Sequence, residues 1–135
     1  MKKIVLILVL GTMLSCDIGG DDNINFELEL MSITDVDIPL ELIFNESNEI
    51  TVNYVRPNGC YEFNDFIVQP QGNTRTVAAV DTVFNDPDCS QNPVQASVSF
   101  NFRPLSMDPY IFQFYQGTNQ SGEDQYLIIE VPVAE

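Results

Sequence analysis

The sequence predicts an all-β domain, a Greek-key β-sandwich of about seven to eight short strands. Three observations predict it. Beyond residue 24, apolar residues recur at every second position in one segment after another, which is the period of a half-buried strand. Clusters of Gly, Pro, Asn and Asp separate these segments and supply turn geometry. No long stretch shows a sustained 3.6-residue period with caps, so helix is expected to amount to a turn or two at most.

The first segment is of a different kind. Lys2 and Lys3 precede an unbroken run from Ile4 to Leu14. A short positive stretch followed by an apolar core of this length is the pattern of a cleaved export signal, and it is too short to span a bilayer. Residues 1–15 are therefore expected to be a signal peptide. The run ends in Met13-Leu14-Ser15-Cys16, which resembles the lipobox of bacterial lipoproteins. Ser15 and Cys16 fit that pattern, while Met13 and Leu14 depart from its usual Leu and small residue. The resemblance implies that the Cys16 thiol is acylated and becomes the first residue after cleavage. Residues 16–23 then read as the lipidated cysteine and an acidic, glycine-bearing tether (DIGGDDN after Cys16), with nothing to bury. Residues 24–135 remain as the β-sandwich domain.

Charge and cysteine usage agree with export. The chain holds 5 basic and 20 acidic residues, a net charge of −15. Cleavage would remove both lysines and leave Arg56, Arg75 and Arg103, giving 3 − 20 = −17. A field of that sign repels nucleic acid, which is not expected as a partner. Of the 3 cysteines, an acylated Cys16 leaves Cys60 and Cys89, which an oxidising compartment is expected to join.

The strands follow in order. Phe26, Leu28 and Leu30 alternate with Glu27 and Glu29. Leu40, Leu42 and Phe44 form a second alternation, closed by Asn45 to Asn48. Ile50, Val52 and Tyr54 alternate up to the turn Arg56-Pro57-Asn58-Gly59. A strand from Cys60 to Gln69, bent near Asn64-Asp65, meets the turn Pro70-Gln71-Gly72-Asn73. Thr74 to Phe84 is β-branched, and Asn85 to Pro93 is a loop. Val94 to Phe102 alternates without a break. Tyr110, Phe112 and Phe114 begin the next strand, and Leu127, Ile129, Val131 and Val133 share a face of the last.

The segment Leu105-Ser106-Met107-Asp108-Pro109-Tyr110 resembles a tyrosine corner, in which a Tyr at a strand's start bonds back to upstream backbone. That implies an immunoglobulin-like form of the sandwich with Tyr110 at the corner. Phe112 stands where an antibody domain has its second Cys, and the chain has no Trp, so its disulfide is differently placed. Together with Tyr54 to Phe63, Arg75-Thr76-Val77 and the hairpin from Tyr110 to Leu127, the chain resembles small uncharacterised lipoproteins of the Bacteroidota. That likeness implies an exported β-sandwich on the outer membrane, on its periplasmic or surface face, and implies no activity.

The residue inventory argues against catalysis. The chain has no His, which removes triad and Cys-His mechanisms and most catalytic zinc sites. After cleavage no Lys remains for Schiff-base chemistry. No phosphate-cradling glycine motif is present, and no cofactor is implied. Acidic clusters at Asp35-Val36-Asp37, Asn85-Asp86-Pro87-Asp88 and Glu123-Asp124 read as solvated loop ends rather than calcium loops. Tyr61, Tyr115 and Tyr126 are candidates for a sugar-binding surface, against core packing. Asp81-Thr82-Val83 resembles the Asp-Ser/Thr-aliphatic acceptor motif of Bacteroidota O-glycosylation, which makes Thr82 a candidate acceptor. The expected function is a lipid-anchored, non-catalytic envelope module whose partner is the membrane, through Cys16, and a protein or glycan ligand. The alternative is a carbohydrate-binding accessory lipoprotein of a glycan-uptake system.

Overall fold

A computed structural model describes residues 25–135. The expected signal segment, Cys16 and the expected tether lie outside the described residues. Ten strands are present: β1 (Phe26–Met31), β2 (Ile33–Asp37), β3 (Leu42–Ile43), β4 (Asn48–Arg56), β5 (Tyr61–Gln71), β6 (Thr74–Phe84), β7 (Val94–Phe102), β8 (Tyr110–Thr118), β9 (Asp124–Val131) and β10 (Val133–Ala134). Eight have five or more residues. The protein is all-β, and its two main sheets face each other as a sandwich.

The larger sheet has five strands. β6 is its centre: β5 runs antiparallel along one edge. The other edge is shared, with β1 antiparallel to its second half and β8 parallel to Thr74–Val77. β9 closes the far side as a hairpin with β8. The smaller sheet runs β2–β4–β7, and β3 pairs with β10 as a separate two-stranded ribbon. The parallel β6–β8 contact departs from the purely antiparallel sheets of an immunoglobulin domain.

Alternation decides the core. Asn48, Ile50, Val52 and Tyr54 of β4 are buried and their neighbours are not. Tyr110, Phe112 and Phe114 of β8 do the same from the opposite sheet. Asn48 apart, they form one buried cluster spanning both sheets with Met31, Ile33, Leu42, Val77, Ala79, Ala96 and Val131. The aromatic rings interlock edge to face, Phe102 lying 4.9 Å from Tyr110 and 5.3 Å from Phe112, an arrangement the ring quadrupoles favour.

Local chemistry explains the boundaries. Gly72, with φ 58°, makes the tight β5–β6 turn, and Pro70 is tolerated just before it because β5 is an edge strand. The bend expected near Asn64 is a β-bulge between Phe63 and Asp65. The alternation at Leu40 does not become a strand. Leu40 is 95% exposed, since only Leu42 and Ile43 find a partner in β10. Between β1 and β2, Ser32 marks where the chain leaves one sheet for the other. Gly117 stands opposite: its φ is +95° and a Cβ there would lie 2.5 Å from Ser32 Oγ, so only glycine fits this crossover.

Cys60 and Cys89 are joined in a disulfide with Cα atoms 5.3 Å apart. The Leu105 N–H donates to the Tyr110 hydroxyl at 3.1 Å, and Tyr110 is buried. Tyr110→Phe removes that acceptor and is expected to destabilise the fold by about 1 kcal/mol. Urea melts of both proteins check this, and an unchanged midpoint would show that the Leu105 N–H is equally well served by water.

Candidate functional site

The two outer faces of the sandwich differ. On the three-stranded sheet the outward row is polar: Asp35 and Asp37 flank Asn53 and Thr51 of β4, and Ser97, Ser99 and Asn101 of β7 face Asn53, Thr51 and Glu49 on the other side. This is the ordinary arrangement, with water solvating one face of an antiparallel sheet.

The five-stranded sheet does the reverse. In β1 the apolar row does not enter the core. Phe26, Leu28 and Leu30 pair with Phe84, Thr82 and Val80 of β6 and stay exposed, Leu28 by 58%. The acidic row lies on the other side of the strand and is exposed as well: Glu27 and Glu29 register with Val83 and Asp81, and Glu29 accepts a 2.8 Å hydrogen bond from the Tyr61 hydroxyl. Ile67 of β5 and Tyr126 and Ile128 of β9 extend the exposed apolar area across the sheet, Ile128 by 61%. A contiguous apolar area on an outer sheet face, rather than scattered single residues, is the mark of an interaction surface.

The middle of this face is hollow. Small side chains at Thr76 and Ala78 form the floor of a depression of about 170 Å³, and Leu30, Ile67, Gln69, Tyr115, Asp124 and Tyr126 surround it. The topology makes the hollow: β1 ends and β8 begins along the same edge of β6. The Tyr115 and Tyr126 rings meet edge to face at 6.1 Å, because the two residues are cross-strand partners in the β8–β9 hairpin. The site is an apolar dish with a two-tyrosine wall and with Gln69, Thr76 and Asp124 as its polar groups. A larger open hollow of about 480 Å³ lies at the sheet end among Asn25, Phe26, Glu27, Val83, Phe84 and Asn85, where the described residues begin.

Of the three tyrosines expected together, the structure unites Tyr115 and Tyr126 and sends Tyr61 inward to Glu29. Thr82 is half-buried in mid-strand with both edges paired, and its hydroxyl accepts a hydrogen bond from Asn64 Nδ2 at 3.2 Å. Among the described residues no three acidic or cysteine side chains converge as they would around a metal ion.

A second polar constellation lies between the sheets. Asp81 of β6 is fully buried. Its carboxylate accepts from the Tyr54 hydroxyl at 2.6 Å and from Arg56 Nε at 2.9 Å, both on β4. Arg56 also donates to the Tyr54 oxygen at 3.3 Å, so the triad is internally satisfied. Burial first, then the bond to Asp81, pushes the Tyr54 hydroxyl up to about 12. Burial and the bond to Glu29 do the same for Tyr61. A raised tyrosine pKa means the unfolded chain loses its proton first as pH rises. The fold therefore keeps the full contribution of these groups below pH about 10 and loses it progressively toward pH about 12. Urea midpoints at pH 9 and pH 11.5 are expected to fall, and to fall less in Tyr54→Phe. Equal falls in both proteins would contradict this cause. The triad was not apparent in the sequence, where Asp81 reads as part of a Thr82 motif and Arg56 as a turn residue. The only available signal was a lone Asp inside the β-branched run from Thr74 to Phe84.

No family model, no curated protein and no solved structure matches this chain.

Proposed function

We propose that this chain is a lipid-anchored, non-catalytic interaction module of the bacterial cell envelope, tethered by Cys16 and binding its ligand on the outer face of the five-stranded sheet. The observation that carries the reading is the apolar row of β1 on the outer face of the sheet. Phe26, Leu28 and Leu30 are 46%, 58% and 48% exposed, at a continuing hydrophobic cost unless something covers them. The dish between Leu30 and Tyr126 sits at the centre of that area, on rigid strands rather than on loops. Export and anchoring rest on Lys2-Lys3, the run to Leu14 and Ser15-Cys16.

Anchoring is tested by metabolic labelling with a fatty-acid analogue. Cys16→Ala is expected to abolish label and membrane association together, because stable anchoring needs acyl chains that only this cysteine would carry. Equal labelling of the two proteins would overturn the anchor.

A second reading, a carbohydrate-binding lipoprotein of a glycan-uptake system, is favoured by one feature. The Tyr115–Tyr126 wall stands beside Asp124 and Gln69, a combination of aromatic surface and hydrogen-bonding groups that suits a sugar ring. An array of bacterial and plant polysaccharides probed with the full-length chain separates the readings. Binding that is lost in Tyr126→Ala supports the glycan reading, and no binding on any glycan removes it.

A further inference from the structure

The sheet edges of this molecule are not equally protected. Among the described strands with an open edge, β1 carries Glu27 and Glu29, β2 carries Asp35 and Asp37, β5 carries Glu62 and Asp65, and β9 carries Asp124 and Glu130. β2 and β5 are also bulged, and β5 contains Pro70. Charges, bulges and proline are the usual means of blocking strand addition. β7 has none of them. It is nine residues long (VQASVSFNF), it pairs with β4 in one unbroken register from Val94 to Phe102, and among the described residues its other edge has no strand partner.

We propose that the β7 edge is the site of homodimer formation, with β7 pairing antiparallel to β7 of a second copy about a two-fold axis at Val98. Charge selects this occupant. Each copy has a net charge of −15, and like charges set directly opposite across strands repel. Apposing β7 with β7 is the pairing of long open edges that brings no carboxylate into the ladder from either side.

The sequence of β7 is also complementary to itself in that register. Val98 faces Val98. On the inward row the small Ala96 faces Phe100 of the second copy, and Val94 faces Phe102. On the outward row Ser97 faces Ser99 and Gln95 faces Asn101, all neutral, and the Ser97 and Ser99 hydroxyls keep their bonds to Asn53 and Thr51 of β4. Val98, Phe100 and Phe102 are only half-buried in the single copy, and a neighbouring strand would cover them. The contact is isologous and closes at two copies. It merges the two three-stranded sheets into one of six strands and leaves both apolar outer dishes free, so it is independent of the ligand site.

Sedimentation velocity of the full-length chain in non-ionic detergent tests the pairing. The wild type is expected to run as a dimer. Ser97→Glu/Ser99→Glu places Glu against Glu at both pairs, and Ser97→Lys/Ser99→Lys places Lys against Lys. Each variant alone is expected to be monomeric at a concentration tenfold above that at which the wild type dimerises, and an equimolar mixture is expected to regain the dimer. A second measurement does not depend on these variants: Val98→Cys sets two thiols opposite each other on the axis and is expected to give a covalent dimer on mild oxidation. A monomeric wild type, a dimeric double-Glu variant, a mixture that stays monomeric, or absence of the covalent Val98→Cys dimer would each overturn the proposal.

Discussion

Arg56→Ala is expected to destabilise the domain by about 3 kcal/mol, among the largest effects of any single substitution here. Asp81 is fully buried and Arg56 is its only cationic partner among the described residues, with 20% of the Arg56 side chain still reaching solvent. Removing Arg56 leaves a carboxylate inside the sandwich with one remaining hydrogen bond, from Tyr54. The reverse change is milder. Asp81→Ala frees Arg56 to turn toward water, and the main loss is the acceptor for the Tyr54 hydroxyl, about 1–2 kcal/mol. Urea denaturation of the two variants should show this asymmetry. Equal costs would mean that Asp81 is solvated through an opening between the sheets.

Removal of the disulfide is expected to have a similar or larger effect. Cys60→Ser/Cys89→Ser opens a loop with sequence separation 29, and the chain-entropy model assigns such a cross-link about 3.5 kcal/mol. The bridge also organises its surroundings: the Gly59 N–H donates to Ser90 O at 2.7 Å and the Phe84 N–H to Cys60 O at 2.9 Å. Those bonds pin the loop after β6 to the turn before β5. Small domains hold only about 5–15 kcal/mol in total, so the double variant should show a sharply lower urea midpoint. A midpoint within error of the wild type would show that the 85–93 loop is held equally well without its cross-link.

What was readable in the sequence and what was not divides along physical lines. Val94 to Phe102 and Ile50 to Tyr54 were readable because one of their faces meets the core and the other meets water. The Cys60–Cys89 pairing was readable because the acylation expected of Cys16 would leave no other combination. The hidden features depend on who pairs with whom. FELELM alternates identically whichever row faces in, and its orientation is set by its register on β6 and by Met31, the one buried residue of β1. The parallel β6–β8 contact joins segments far apart in sequence and leaves no periodic trace. Tyr115 and Tyr126 could be named as candidates, but their meeting follows from the β8–β9 hairpin register. The dish floor at Thr76 and Ala78 exists only because β1 and β8 share one edge of β6. Leu40 misled because its alternation with Leu42 and Phe44 resembles a strand, while too little of the chain nearby can pair with it.

The claim that most needs testing is that the outer face of the five-stranded sheet is the ligand surface. Site-specific photo-crosslinking in intact cells tests it most directly, with a photoreactive residue placed at Leu28, at Tyr126 and, on the opposite polar face, at Thr51. The proposed function predicts a discrete adduct, protein or glycan, from Leu28 and Tyr126 and none from Thr51. An adduct from Thr51 alone, or no adduct from Leu28 and Tyr126, would contradict it.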